Sequence, residues 1–190
     1  MTIIIPGSPE WLKERRNYVT ASMSPVIMGD SPWQTISELY WNIVNEVEIP
    51  TNPAMQRGID LEPEARAIFI QETGIWVEPQ WVVSTVYPWM AASFDGLSAD
   101  GKTGLEVKCP GKAGHMSVLK KAPEAKYFAQ IQHQMIVADL ETWSYMSYRP
   151  EERQKWTILK VHRVPPYCNA LITQTKHFWD RVQARIPYDI

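Results

Sequence analysis

The sequence predicts a mixed α/β or α+β domain, and three observations carry that prediction. Apolar residues recur at helical spacing up to about residue 74. Short runs rich in Val, Trp and Tyr follow, separated by turn residues. Helical spacing then returns at 125–137 and again at 167–185. Ser8-Pro9-Glu10-Trp11-Leu12 has the form of a capped helix start, with Ser8 as N-cap and Pro9 in the first turn, running to about Arg16. Thr20 opens a second short helix ending near Gly29. Residues 37–47 place Leu39, Tyr40, Ile43, Val44 and Val47 on one helical face. Residues 60–74 do the same with Leu61, Ala65, Ile68 and Phe69, and Gly74 is the stop. Residues 76–86, 90–94 and 104–108 read as strands, the last two joined as a hairpin by the turn-forming stretch from Asp95 to Lys102. A helix over 125–137, strands over 143–148 and 156–161, and a closing helix over 167–185 complete the chain.

A length of 190 residues suits one domain spanning 1–190, and a hydrophobic content of 45% excludes disorder. No apolar run reaches the ~20 residues of a membrane helix. The N-terminus lacks a basic region and a cleavage site, so a cytoplasmic location is expected. Cys109 and Cys168 lie far apart, and none of His115, His133, His162 and His177 pairs with them at zinc-finger spacing. A structural zinc site, an iron–sulfur cluster and a disulfide framework are therefore not expected. A net charge of −2 argues against a simple basic DNA coat. The charges are unevenly placed, however. Residues 38–78 hold eight acids against Arg57 and Arg66, and residues 101–126 hold six lysines against Glu106 and Glu124. That pattern fits a face for a polyanion beside a cation site. It equally fits two solvated faces of opposite sign.

The chemistry concentrates between Ser93 and Pro110. On a strand over 104–108, Glu106 and Lys108 share a face while Val107 points into the opposite layer. The hairpin brings Asp95 beside them. Converging carboxylates repel one another and resist desolvation, and a divalent cation resolves both problems. Oxygen ligands without His or Cys favour Mg²⁺, with Mn²⁺ as a substitute. An adjacent lysine can orient an attacking water, help deprotonate it, or offset charge growing on a phosphate. On spacing alone, Asp95-Gly96 could be only a turn, and Glu106 with Lys108 only a surface ion pair.

Ser93-Phe94-Asp95-Gly96-Leu97 followed by Leu105-Glu106-Val107-Lys108-Cys109-Pro110 resembles the active-site hairpin of the PD-(D/E)xK nucleases. It is most similar to the λ-type phage alkaline exonucleases, the YqaJ-like viral recombinase family. Phe94 departs from the proline usual there. Three further stretches resemble family segments in the same order: Arg15 to Ser22, Met55 to Ala65, and Tyr127 to Met135. The similarity covers roughly residues 8–150.

The resemblance implies a restriction-endonuclease-like core with a mixed central sheet flanked by helices. It implies Asp95 and Glu106 as metal ligands, completed by the Val107 backbone carbonyl, with Lys108 as the catalytic lysine. Glu62 would add a carboxylate, and Glu64 would be surface. Gln130 would hydrogen-bond the scissile phosphate or the attacking water, whereas Gln132 and Gln134 read as helix surface. Arg15, or its neighbour Arg16, would bind a terminal 5′-phosphate together with Ser22, aided by a helix N-terminus starting there. Ser93 is a further phosphate candidate. Lys112, Lys120, Lys121 and Lys126 would track the DNA backbone. Trp33 and Trp89 are candidate wedges at the DNA end, with core packing the stronger reading for most tryptophans.

The implied activity is Mg²⁺-dependent 5′-to-3′ digestion of linear double-stranded DNA. It would release mononucleotides and leave 3′ overhangs for phage-type recombination, with a single-strand annealing protein as partner in a bacterial cell. The resemblance also implies a homotrimeric ring with the duplex threaded through it; a 190-residue subunit is too small to encircle a duplex alone, so processivity by topology would need an oligomer. A structure-specific or restriction-type endonuclease, or a non-catalytic DNA-end-binding protein, is the alternative.

Overall fold

The computed structural model describes residues 8–119 and 123–188. Six strands form one mixed sheet: β1 (Val19–Thr20), β2 (Val77–Val83), β3 (Met90–Ser98), β4 (Gly104–Lys108), β5 (Thr142–Tyr148) and β6 (Trp156–His162). The helices are α1 (Pro9–Glu14), α2 (Ser24–Ile27), α3 (Ile36–Val44), α4 (Pro53–Thr73), α5 (Lys112–Val118), α6 (Ala125–Ala138) and α7 (Pro165–Ala184). β3 is the organising strand. It runs antiparallel to β2 and β4 and parallel to β1. β5 lies parallel to β4, so α5 and α6 form the crossover between them, and β6 returns antiparallel.

The pairing places a gap beside the middle of β3. Ala91 pairs with both Val83 of β2 and Thr20 of β1, so those two strands lie on opposite edges of β3. Leu97 pairs with both Glu78 of β2 and Gly104 of β4. β1 and β4 therefore share one edge and leave residues 92–95 of β3 between them without a ladder partner on that side. The other edge carries a bulge. From Glu78 to Gln80 is a step of two residues on β2, whereas the matching step from Leu97 to Phe94 is three. The extra residue falls at Asp95 and Gly96. It breaks the alternation of β3 and re-aims Asp95 toward the gap.

Helices cover both faces. On one face, Ile131 and Met135 of α6 and Leu171 of α7 pack on Met90, Ala92, Phe94, Trp143 and Tyr145. On the other, Ala65 and Phe69 of α4 pack on Leu105, Val107, Met146 and Tyr148. A third cluster joins Val19 and α2 to Leu39, Tyr40 and Phe178. With Leu105 and Val107 committed to α4, strand alternation turns Glu106 toward α6, where it is only 1% exposed.

The expected elements are present, with corrections. Ser8 caps α1, but the helix tightens into a 3₁₀ turn over Arg15–Asn17. Thr20 ends strand β1 instead of opening a helix. A 3₁₀ turn over Ala21–Met23 and the four-residue α2 follow it. α3 starts at Ile36, one residue before the expected start, and is capped by Thr35 through a reciprocal capping box with Glu38. α4 starts at Pro53 under an Asn52 cap, well before residue 60, and ends at the left-handed Gly74 as expected. β3 continues through Asp95 and Gly96 to Ser98, so the hairpin turn is shorter than expected, with Gly101 at φ +68. α5 was not expected from the sequence.

Candidate active site

The gap between β1 and β4 is the floor of a cleft lined by Trp11, Arg15, Thr20, Ser22, Trp81, Ser93, Asp95, Glu106, Lys108 and Gln130. At its deep end, Asp95 Oδ2 accepts a hydrogen bond from the Val107 N–H at 2.7 Å. The carboxylate thereby takes the place of a missing backbone partner where the strands part. Glu106 is held from three sides. Gln130 Nε2 donates to its Oε1 at 2.7 Å, Gln134 Nε2 donates to its Oε2, and Lys108 Nζ forms an ion pair with Oε1. Lys108 also lies 5.2 Å from the centre of the Tyr127 ring.

Burial, followed by the charges of Glu106 and Glu62, pushes the Asp95 carboxyl well above its ordinary range. Burial alone would lower Lys108. The neighbouring Glu106 and Asp95 charges outweigh it and hold the ammonium above its ordinary range. Glu62 lies on α4, close enough for Asp95 to feel its charge. Its Oε1 is held by Arg66 Nη1 at 2.7 Å, and the same nitrogen donates to the Asp95 carbonyl at 2.6 Å.

Among the described residues, no three His, Cys, Asp or Glu side chains converge into a ready-made metal cage. The donors present are the Asp95 and Glu106 carboxylates, with Glu62 nearby and the Val107 carbonyl between the two β4 side chains. This all-oxygen set carries more negative charge than its lysine offsets, and the resistance of Asp95 to ionisation expresses that imbalance. Such a set fits a hard divalent cation.

The mouth of the cleft is cationic. Arg15 stacks on the Trp11 ring at 4.5 Å, and its guanidinium reaches Ser22 Oγ at 3.3 Å and Thr20 Oγ1 at 3.5 Å. It has no acidic partner among the described residues. Arg16 instead points away and pairs with Glu46 at 3.0 Å and Glu48 at 3.6 Å. Ser93 Oγ accepts from Trp11 Nε1 at 2.8 Å, which ties α1 to β3 across the cleft. Ser22 sits within a 3₁₀ turn, so the expected helix N-terminus is only one tight turn leading into α2.

The structure thus brings Asp95, Glu106, Lys108, Gln130, Arg15, Ser22 and Ser93 into one cleft, with Glu62 at its α4 side. Lys112 lies outside it, 3.7 Å from Glu152. Lys126 pairs with Glu124 at 2.8 Å and sits 4.9 Å from the ring of Trp33, which is 69% exposed. Lys120 and Lys121 lie outside the described residues. Trp89 packs against the core, donating to Thr175 Oγ1 at 3.3 Å. Gln132 and Gln134 are wholly buried and not helix surface. Gln132 bonds the His162 carbonyl and the Val164 N–H, and Gln134 bonds Glu106. Trp11, Thr20, Trp81, Arg66 and Gln134 are cleft or supporting residues that the sequence reading missed. The i,i+4 spacings Trp11–Arg15, Glu62–Arg66 and Gln130–Gln134 were the available signal.

Residues 10–141 match the model of the YqaJ-like viral recombinase domain. An alkaline exonuclease from Laribacter hongkongensis, LHK-Exo, superposes with a TM-score of 0.83 at 27% identity, covering 94% of each chain. A structure of LHK-Exo in complex with dAMP superposes at 0.81 with 28% identity and the same coverage. A phage-related exonuclease from Haemophilus somnus shares the fold, with a TM-score of 0.67 at 13% identity over 89% of this chain and 96% of its own. No curated protein matches the chain.

Proposed function

This chain belongs to the YqaJ-like viral recombinase family, and from that premise we propose that it is a Mg²⁺-dependent 5′-to-3′ exonuclease acting on linear double-stranded DNA. The carrying observation is one cleft that joins an acidic end, built on Asp95 and Glu106, to a cationic end, built on Arg15 without an acidic partner among the described residues. The first suits a scissile phosphodiester, the second a terminal phosphate. The likeness to an alkaline exonuclease, including its complex with dAMP, supports mononucleotides as the product.

Asp95, Glu106 and the Val107 carbonyl would hold the cation, with Glu62 adding charge from α4. When bound there, Mg²⁺ supplies Lewis-acid polarisation of the phosphate and acidifies water; Mn²⁺ would substitute. The protein's own groups do the rest. Arg15 holds the terminal 5′-phosphate, with Ser22 and Ser93 supplying hydroxyl contacts, and this sets polarity. Lys108, an ammonium in this setting, donates to the attacking water or to phosphate oxygens and offsets the charge that grows there. Gln130 reaches the same region with a neutral amide donor, so it can orient an oxygen without adding charge. Lys112, Lys120 and Lys121 would contact the duplex backbone farther out.

We further propose that three copies close into a ring around the duplex and that a single-strand annealing protein takes over the 3′ overhang. Met55 and Ile59, one turn apart on α4, are both exposed and supply adjacent apolar surface for such an association. No described helix is long and apolar enough to cross a membrane.

The test is digestion of linear duplexes bearing 5′-phosphate or 5′-hydroxyl ends, with Mg²⁺ or with chelator, beside covalently closed plasmid. Cleavage should need the cation, favour the phosphorylated end and spare the closed circle. Nicking or linearisation of the circle would replace the exonuclease reading with an endonuclease. Binding of DNA ends without cleavage in any cation would replace it with a non-catalytic end-binding protein.

A further inference from the structure

Resting on the nuclease reading above, we infer that Gln134 is a positioning residue that holds the Glu106 carboxylate in register with the cleft. Gln130 and Gln134 stand one turn apart on α6 and take one carboxylate oxygen each. Their surroundings differ. Gln130 lines the cleft, whereas Gln134 is 0% exposed beneath it. A residue at the cleft can be drawn to substrate during turnover. One beneath it cannot, so its bond to Oε2 persists when Gln130 is engaged elsewhere.

The amide orientation is set by its neighbours. Glu106 Oε2 and the Ser93 carbonyl, the latter at 3.5 Å, are both acceptors, so the NH₂ group must face them. That choice leaves Gln134 Oε1 buried with no donor partner among the described residues. An orphaned buried acceptor costs stability, and an apolar side chain of the same length would avoid it. A core position that keeps a polar side chain despite that cost is explained by what its other end does. Here the other end fixes a carboxylate that is itself 1% exposed and set beside Lys108. Hydrogen-bond partners of cation-binding groups commonly act this way.

The experiment compares the parent protein with Gln134→Met. Steady-state digestion of linear duplex in Mg²⁺ is paired with calorimetric titration of Mn²⁺ without DNA. The expected result is kcat and Mn²⁺ affinity each reduced about ten- to a hundredfold, with KM for DNA unchanged. Parent-like kcat and Mn²⁺ affinity in a folded Gln134→Met protein would overturn the assignment. A second measurement needs no substitution at 134. The side-chain NH₂ signal of Gln134 should move upfield in Glu106→Gln, where a neutral amide replaces the charged acceptor. An unmoved signal would overturn the assignment, and this reading decides alone should Gln134→Met not fold. If the parent protein cuts no DNA, the nuclease reading fails while the Mn²⁺ and NH₂ readouts still decide the role of Gln134.

Discussion

Lys108 and Arg15 show how one cleft assigns different work to two cations. Lys108 is half-buried beside carboxylates that keep it charged, so in the proposed reaction it donates hydrogen bonds and offsets negative charge. Lys108→Ala should therefore lower kcat by about a hundredfold or more while DNA binding, followed by fluorescence anisotropy, stays near parental. Arg15 has hydroxyl neighbours and an aromatic platform but no acid among the described residues, an arrangement suited to an incoming anion. Arg15→Lys keeps the charge and loses the planar fork. It should raise KM for 5′-phosphorylated duplex about tenfold and leave the 5′-hydroxyl substrate little changed. Equal effects on both substrates would place the 5′-phosphate elsewhere. That Asp95, Glu106 and Lys108 lie close together was legible because strand spacing and turn chemistry are local, and the family resemblance, not the spacing, marked them as a site. Gln134 was not, because a polar residue on a helix reads as surface until the partner across the fold is known.

Among the secondary-structure elements, α6 binds the site to the rest of the fold. His133, wholly buried on α6, bonds Ser24 Oγ at 2.7 Å and the Ala91 carbonyl at 3.1 Å. The carbonyl can only accept, so Nε2 carries the hydrogen and Nδ1 accepts from Ser24. α2 and β3 are thereby pinned to one ring that must stay neutral. Burial pushes its pKa down to about 3, from an unfolded value near 6.5. Between those values the unfolded chain binds a proton that the folded one does not. Stability conferred by the neutral ring is thus complete above about pH 6.5 and is lost as pH falls toward 3, with a slope of at most about 1.4 kcal/mol per pH unit. Urea denaturation across this range should show a shallower slope in His133→Gln than in the parent. The β3–β4 hairpin depends instead on missing side chains. A Cβ at Gly104 would lie 2.1 Å from the Trp143 ring, so Gly104→Ala should cost about 1–3 kcal/mol by urea denaturation. Strand β4 and helix α6 were readable because their patterns are local. β1 was not, since two residues become a strand only by pairing with Met90 and Ala91. The first turns of α4 were missed because residues 53–59 bury almost nothing and so lack an apolar stripe, although Asn52-Pro53 carried the cap signal.

At the level of the whole molecule, the net charge of −2 conceals a division of labour. Acids gather on α4 and at the cleft floor, where Lys108 offsets part of their charge, while Arg15 lies at the mouth and Lys112 and Lys126 lie outside the cleft. Binding to duplex should therefore weaken steeply with salt despite the acidic total, because its affinity would rest on phosphate contacts. Light scattering should give three times the mass of one chain, and a monomeric mass would remove the proposed ring.

Residue order determined the α/β class and the strand pair that presents Asp95, Glu106 and Lys108, since both follow from spacing within a few neighbouring residues, and it determined the family through several stretches matched in order along residues 10–141. Tertiary structure decided the bulge that turns Asp95 into the gap, the choice of Arg15 over Arg16 as the cleft cation, and the bonds from Arg66 and Gln134 that hold the acids. Those depend on which groups meet after segments tens of residues apart have packed together, and no local pattern encodes the approach of a distant partner.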